Sequence, residues 1–413
     1  MLKKNKVYFP FFIGMLLQML WMGCNDNPLE LPNETYTPQN VGSVKDTTLF
    51  AVSDTTYLVQ THLSTDFSDR LLIGTVDNFQ ARPIMRFTTL PDSALFQEIK
   101  IRFVSAGTLS VNPGQAFTAT AYPVLNKWES NTDSVWTDYQ QNFDASKPLG
   151  DVQISTATSD TLYLILNQNG IDEFNAWSSA ISNDANPGII LDFSAADFIK
   201  YFTSRNSSEN PMLVFTYKNS PNDTTVIADS VIATFDAVVY QGAPTPVANR
   251  NYASSFAVYN SLYKFDLENF LSKFPGGVEI ISANLQLWVD RGNTLLDPHF
   301  GADLRVFKLT SEIENSSVVI DSSTSRIIQF SQWSADSSFL EVNSGGERQR
   351  LARQIIQPQL IGLQDNKPYG LAVGFLNNNT HYSYFAFYKR NADSAARRPR
   401  LILKYQIPPE TRF

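Results

Sequence analysis

The sequence contains very little cysteine and histidine. Cys24 is the only cysteine in 413 residues, which excludes an intramolecular disulfide and any metal site with several cysteine ligands. The three histidines include no pair at metal-ligand spacing. A Gly-x-Ser-x-Gly elbow, a phosphate loop and a dinucleotide fingerprint are also missing. We therefore predict that the protein is not an enzyme, although paired carboxylates for glycoside hydrolysis could lie anywhere in the chain.

The sequence also lacks an apolar run long enough for a permanent transmembrane helix. The run at residues 7–21 has 15 residues and contains proline, glycine and glutamine, whereas a spanning helix needs about 20 apolar residues. Three lysines precede this run, and that order is typical of a secretory signal. Residues 1–23 are therefore predicted to be a signal peptide.

The small residue and cysteine that end this run, Gly23 and Cys24, resemble the lipobox of bacterial lipoproteins. The resemblance implies cleavage before Cys24, attachment of lipid to its sulfur, and a location at the outer membrane or cell surface. An ordinary signal peptide with an incidental cysteine is the alternative. Residues 24–45, rich in Asn, Pro, Thr and Glu, are predicted to be a flexible tether between the lipid anchor and a globular body.

The charge of the mature chain argues against one class of partner. Without the three lysines of the signal peptide, 29 basic and 40 acidic residues remain, a net charge of −11. A field of this sign repels nucleic acid.

The globular body contains an internal repeat. The stretches "NPMLVFTYKN" at 210–219 and "RPRLILKYQI" at 398–407 match, and five further segments recur in the same order at an offset of about 180 residues. Short segments of β-branched and aromatic residues with period-2 alternation predict an all-β fold. We predict two tandem jelly-roll β-sandwich domains, at 46–219 and 220–408, each with one short helix and each able to fold alone.

Capping residues indicate where the two short helices begin. The candidate N-caps are Asn169 or Asp172 in the first copy and residues 344–346 in the second.

The repeat resembles the DNRLRE-type module, a jelly roll grouped with carbohydrate-binding module family 96. The matching pattern includes "RPIMRFTTLP", "FQEIKIRFV", "TAYPVLNKWES" and "PMLVFTY". The matched residues of the first copy are Arg82, Phe87, Leu90, Pro91, Ile99, Tyr122, Trp128 and Trp136, and those of the second are Phe265, Leu267, Ile281, Ala283, Leu285, Leu287 and Phe307. The resemblance implies binding of carbohydrate.

Aromatic residues outside the predicted core are candidates for stacking on sugar rings. In "ANLQLWV", alternation places Asn284, Gln286 and Trp288 on the face opposite Ala283, Leu285 and Leu287. A polar segment at 126–142 contains the other candidates, Trp128, Trp136 and Tyr139. Alternatively, these rings cover a neighbouring strand or the other domain.

Charged residues suggest two further sites. A basic cluster, which includes Arg390 as a candidate ligand-binding residue, could receive an acidic polysaccharide or could be a solvated face; its members are Arg348, Arg350, Arg353, Lys389, Arg390, Arg397, Arg398 and Arg400. Residues 290–303 could hold a structural calcium ion through Asp290, Asn293, Asp297 and Asp303, or could be a solvated turn. No other cofactor is predicted.

These patterns predict a lipid-anchored surface protein that binds polysaccharide without catalysis. The alternative is a structural or adhesive scaffold that acts as a spacer or assembles with other surface proteins.

Overall fold

A computed structural model describes most of the chain after the predicted signal peptide and tether. The described residues are 42–60, 63–110, 112, 114–128, 142–157, 160–180, 186–298, 304–313, 318, 320–321, 328–330, 338–342, 344–361, 368–375 and 380–408. Cys24 and the rest of residues 1–41 lie outside this part.

The protein is all-β, as the alternating β-branched and aromatic segments predict. The strands are β1 (Val44–Gln60), β2 (Arg70–Val76), β3 (Phe79–Arg86), β4 (Leu95–Ser110), β5 (Ala116–Pro123), β6 (Gly150–Ser155), β7 (Thr161–Leu166), β8 (Ile189–Phe193), β9 (Phe198–Thr203), β10 (Met212–Lys218), β11 (Ile227–Ile232), β12 (Phe235–Gln241), β13 (Arg250–Ser254), β14 (Val258–Phe265), β15 (Glu279–Trp288), β16 (Leu304–Leu309), β17 (Ile320–Asp321), β18 (Ile328–Gln329), β19 (Phe339–Glu341), β20 (Leu371–Phe375), β21 (Tyr384–Tyr388) and β22 (Arg400–Gln406).

Strands β2–β12 form what we call the first assembly. The strand order is β11-β10-β4-β7-β6-β5-β8-β3-β2-β9, with β12 beside β3. The long strand β4 pairs with β7 through its first part and with β9 through its last part, so the path closes on itself. The change of partner occurs at a bulge beside Gly107, whose φ of 133° is readily adopted only by glycine. The apolar side chains enclosed by these strands form one core.

Strand β1 together with β13–β22 forms the second assembly. Here β1 belongs to two sheet segments: residues 44–50 pair with β22, and residues 51–60 pair with β14. One segment has the order β1-β22-β15-β19 and the other has the order β1-β14-β20-β16. A second core lies among these elements and includes Leu285, Leu401 and Val306, all of which are buried. Strands β13 and β21 form a separate pair.

The two assemblies exchange the strands that precede them in the chain. Strand β1 comes before the first assembly but completes the second, whereas β11 and β12 come before the second assembly but pair with β10 and β3 of the first. Both exchanged tracts contain Asp-Thr-Thr, at 46–48 and 223–225. Local sequence patterns predict that a segment is a strand, but they do not specify its partner, so this exchange is not visible in the repeat. The predicted division of the chain at 219/220 remains a prediction.

Residues Val44–Ile407 form one compact unit. Where the assemblies meet, the rings of Phe79 and Tyr382 stack with centroids 4.1 Å apart, and Phe256 packs 5.1 Å from Phe79. The Tyr384 hydroxyl donates a hydrogen bond to Asp77 Oδ2 at 2.7 Å. The contact therefore combines an aromatic cluster with polar anchoring.

The described residues include the helices α1 (Gln168–Ser179), α2 (Leu267–Ser272) and α3 (Gly345–Arg350). Helix α3 continues as a π-helical segment, Leu351–Ile356, and a last turn, Gln357–Leu360. Ser344 caps α3, as predicted, by accepting the Glu347 N–H at 3.2 Å. The predicted cap of α1 is wrong: Asn167, two residues earlier than the first candidate, accepts the Gly170 N–H. In the described residues, no helix has the length and apolarity needed to cross a bilayer.

Candidate functional site

Strand β15 presents one apolar face and one polar face. Ala283, Leu285 and Leu287 are fully buried in the second core, while Asn284, Gln286 and Trp288 lie on the opposite face. This arrangement follows the alternation of the sequence. Trp288 is half-buried at the end of the strand, so part of its ring remains accessible.

A hydrogen-bond network covers Asn284 and Gln286. Their side-chain amides donate to Oε2 of Glu341 at 2.8 and 2.9 Å, and Gln286 Oε1 accepts the Arg400 Nε–H at 2.8 Å. Arg348 lies 3.2 Å from the other Glu341 oxygen. Both amide side chains are 8% exposed. They therefore support the face on which Trp288 lies, and their hydrogen bonds are made within the protein.

The charge of Glu341 is maintained by its neighbours. Burial raises the pKa of the Glu341 carboxyl, but the hydrogen bonds from Asn284 and Gln286 and the positive charge of Arg348 outweigh burial and hold this pKa below its usual value. The network is therefore ionised at neutral pH.

A cleft of about 350 Å³ lies beside this network, at the end of β15. Its lining residues are Trp288, Val289, Asp290, Arg291, Gly292, Ser338, Tyr388 and Arg397. The Trp288 ring packs against Phe339 of β19, with centroids 5.1 Å apart and planes at 43°. The second aromatic wall is Tyr388, at the end of β21.

Two guanidinium groups hold the Tyr388 ring. Arg250 Cζ lies 3.9 Å and Arg397 Cζ 5.0 Å from the ring centroid, within the range of cation–π attraction. Arg397 Nη1 also donates to the Tyr388 hydroxyl at 3.1 Å. Among the described residues, Arg397 makes no ion pair with a carboxylate. Its side chain is exposed at the cleft.

Asp290 rigidifies the turn that forms the floor of the cleft. Its Oδ2 accepts Arg250 Nε–H at 2.6 Å and Asn293 Nδ2–H at 2.9 Å, and its Oδ1 accepts the Gly292 N–H at 3.2 Å. Burial raises the Asp290 pKa, but these bonds and the charge of Arg250 lower it below the ordinary value. Asp290 is thus ionised, and the positive charge of Arg250 balances its negative charge.

The predicted calcium loop places its acids in separate environments. Asp290 is bound to Arg250, which a cation would have to displace, and Asp297 is buried with its N–H bonded to Ser383 Oγ at 3.0 Å. Asp303 lies outside the described residues. The described part of the chain contains no group of three or more His, Cys, Asp or Glu side chains arranged to hold a metal ion.

The indole nitrogen of Trp288 is a buried hydrogen-bond donor. Nε1 is buried yet donates to no acceptor in the described part of the chain. An unsatisfied buried donor costs about 1–3 kcal/mol.

The other predicted site residues lie elsewhere. Trp128 is buried, donates its N–H to the Pro187 carbonyl at 2.9 Å and packs in a small core cluster of the first assembly. Trp136 and Tyr139 lie outside the described residues. Arg390 does not line the cleft; its backbone N–H donates to Asp54 Oδ2 at 2.6 Å, and its side chain is 55% exposed.

Local patterning missed the residues that complete the cleft. Tyr388 lines the cleft, while Phe339 and Arg250 support its aromatic walls. These residues come from strands distant in sequence, and strand pairing together with the bridge between Val289 and Phe387 brings them to Trp288. Arg397 was contained in the basic cluster, but nothing in that cluster distinguished it from its neighbours.

Comparisons with known proteins identify no family. No protein-family model and no curated protein matches the chain. A structure of infectious bursal disease virus Gx strain aligns with 9% identity, a TM-score of 0.12, and coverage of 97% of this chain and 83% of that chain. A structure of the Gt strain aligns with 10% identity, a TM-score of 0.11, and coverage of 92% and 78%. Scores this low carry no argument about fold or function.

Proposed function

We propose that the protein is a non-catalytic surface lipoprotein, anchored to the outer membrane or cell surface through Cys24, that binds polysaccharide in the Trp288 cleft. The observation that carries the proposal is a cleft in which the half-buried Trp288 ring lies together with Tyr388 and the exposed guanidinium group of Arg397. Aromatic rings stack on the C–H faces of sugars, and donors at the rim bind hydroxyl or carboxylate groups. The cleft combines these elements.

We further propose that the assemblies are two jelly-roll modules in tandem that have exchanged their first strands. The support is the equivalence of strand pairing: β4 lies between β10 and β7 in the first assembly, as β15 lies between β22 and β19 in the second. A short helix follows β7 and another follows β19. Function would then depend on side chains added to a shared framework.

Glycan retention tests the binding proposal. Neutral and uronate-containing polysaccharides are cast into native gels, and the retardation of the mature chain is compared with that of Trp288→Ala. We expect retardation by at least one polysaccharide and its loss in the variant. Tyr163→Ala is the matched control, because Tyr163 is 49% exposed on a strand of the first assembly, outside the cleft. Equal retardation of Trp288→Ala and the wild type would contradict the assignment.

One observation favours the alternative, a scaffold that binds another surface protein. Val44, Phe50 and Val52 of β1 are 45–49% exposed, and Phe50 and Val52 are alternate residues that form an exposed apolar pair where β1 changes its partner from β22 to β14. A scaffold predicts a specific cross-linked partner when a photoreactive residue replaces Phe50, and loss of that partner in Val52→Ser. A chain that is retarded by glycan and gives no such product supports the carbohydrate proposal.

A further inference from the structure

The exchanged strand β1 and the cleft lie in the same sheet segment, at its opposite ends. Val44 of β1 and Glu279 of β15 both pair with Gln406 of β22. Strand β15 then runs ten residues to Trp288, which is about 30 Å away at the usual rise per residue. The cleft is therefore at the end of the sheet segment opposite the first residue of β1.

We propose that this sheet segment is a load-bearing connection between the anchor at Cys24 and a glycan held in the cleft. The inference rests on the proposed function for its two points of attachment. The mechanical path itself, from β1 through β22 and β15 to β19, follows from the strand pairing alone.

The geometry loads many hydrogen bonds at once. Strand β22 is antiparallel to both β1 and β15, with seven residue pairs to each. Tension between the tether and the cleft therefore acts along the strands, whereas the hydrogen bonds between antiparallel strands lie perpendicular to them. All bonds of a ladder must then yield together. A force that peels β1 away from its first residue would instead break them one at a time.

A side-chain latch fastens β1 to the second wall of the cleft. Asp54, with a side chain only 3% exposed, accepts the Arg390 N–H at 2.6 Å. Arg390 follows Tyr388, which lines the cleft, by two residues. Thr56 Oγ1 accepts the Tyr252 N–H at 2.9 Å, which joins β1 to β13 as well. Strand β1 is thus connected to β15 through β22, and it is connected to the residues that follow β21 through the hydrogen bond between Asp54 and Arg390, which we call the latch.

The strand exchange is what makes this path short. If β1 completed the first assembly, which follows it in the chain, tension would cross the aromatic contact around Phe79 before it reached the cleft. With β1 in the second assembly, the load bypasses the first assembly.

Single-molecule force measurement tests the proposal without a glycan. The mature chain, made without its signal peptide so that Cys24 keeps a free thiol, is pulled between Cys24 and a cysteine introduced as Ser338→Cys at the rim of the cleft. The matched control is Glu279→Cys, an exposed position at the tether end of the same sheet, which makes the same pull peel β1. We expect a severalfold higher unfolding force with Ser338→Cys.

The latch supplies a second measurement on the same molecules. Asp54→Ala should lower the force in the Ser338→Cys geometry, while Asp46→Ala, an exposed acid on β1, should leave it unchanged. Circular dichroism confirms that each variant is folded before pulling. Equal forces in the two geometries would overturn the load path. Failure of glycan retention would leave the force result intact and overturn only the proposed ligand.

Discussion

The same position in the two assemblies holds different side chains. In the first assembly, Val104 of β4 pairs with Thr161 of β7, whereas in the second assembly Trp288 of β15 pairs with Phe339 of β19. The central strand of each set lies beside a strand that follows a proline, at 211 and 399. The backbone frameworks are equivalent, but only the second carries an aromatic pair. The framework therefore does not by itself create the cleft, and the proposed binding belongs to the second assembly.

The exchanged strands, in contrast, share a feature in the two assemblies: each contains an aspartate with a buried side chain. Asp54 of β1 pairs with Tyr263 of β14, and Asp236 of β12 pairs with Met85 of β3. Asp54 accepts the N–H of Arg390 at 2.6 Å, and Asp236 accepts the N–H of Arg205 at 2.7 Å. Each arginine precedes an asparagine shortly after an equivalent strand, β21 or β9. The fastening of the exchanged strand is common to both assemblies, unlike the cleft.

Removal of β1 should produce the largest difference in stability between the two assemblies. A chain that begins at Leu63 lacks the strand shared by the two sheet segments of the second assembly. We expect hydrogen exchange to show loss of protection in β15 and β22, with protection retained in β4 and β10. A peptide of residues 42–60 should restore protection, and the same peptide with Asp54→Ala should do so less well. Loss of protection in the first assembly instead would show that β1 belongs there.

This expectation revises the one drawn from the repeat, in which each half folds alone when the chain is cut near Asn219. Such a cut leaves β11 and β12 on the fragment that does not contain their partners, and it separates β1 from β22. The two fragments should fold best when mixed.

Replacement of Arg397 should weaken glycan binding without unfolding the protein. Its guanidinium is exposed and makes no ion pair in the described part of the structure, and a charge-assisted hydrogen bond contributes about 1.5–3 kcal/mol, so we expect Arg397→Gln to reduce affinity about tenfold or more. Arg353→Gln is the matched control, because Arg353 is exposed on the π-helical segment and does not line the cleft. Affinity electrophoresis at low salt measures both; equal losses would indicate a non-specific charge effect.

The aspartate latches should differ in their pH dependence. Burial and, to a smaller extent, the charge of Asp66 outweigh the hydrogen bond and positive charge of Arg205 and raise the pKa of Asp236 to about 7. Burial also raises the pKa of Asp54, but Arg390, Lys389 and Asn251 oppose this. A folded-state pKa above the unfolded value of 3.8 means that the native protein binds the proton more tightly, so stability is lost as pH rises from about 4 to 7.

Denaturant unfolding at several pH values checks this difference. Asp236→Asn should remove much of the decline between pH 4 and 7, an effect on the order of a few kcal/mol. Asp54→Asn should flatten the curve less. The same dependence in both variants and in the wild type would show that other groups control the pH response.

The sequence predicts where the strands lie in the chain much better than it predicts which strands pair with one another. Alternation places Trp288 on the face opposite Leu285 and Leu287, because side-chain direction in a strand is a local property. The side chain of Asn284 donates a hydrogen bond to Glu341, which is 57 residues away in the sequence. The two residues meet only because β15 pairs with β19. The sequence does not decide between the two interpretations of Trp128 for a related reason: its polar surroundings in the chain do not reveal the apolar cluster that buries it.

The smallest expected effect concerns the carboxylate of Glu341, which has no counterpart in the first assembly. Glu341 pairs with Gln286 in the second assembly, and the equivalent pair of the first assembly is Tyr163 with Arg102. Because the folded-state pKa of Glu341 is lowered, its contribution to stability is present above the unfolded value of 4.5 and is lost as pH falls through the folded value. The carboxylate is partly exposed, so solvent screens the contribution. Glu341→Gln should lower the melting temperature slightly at pH 7, and the difference from the wild type should shrink as the solution is acidified below the unfolded value of 4.5. Tyr163→Ala, at the equivalent pair of the first assembly, should show no such convergence, and a difference that persists in acid would assign the effect of Glu341→Gln to packing around Gln286 and not to charge.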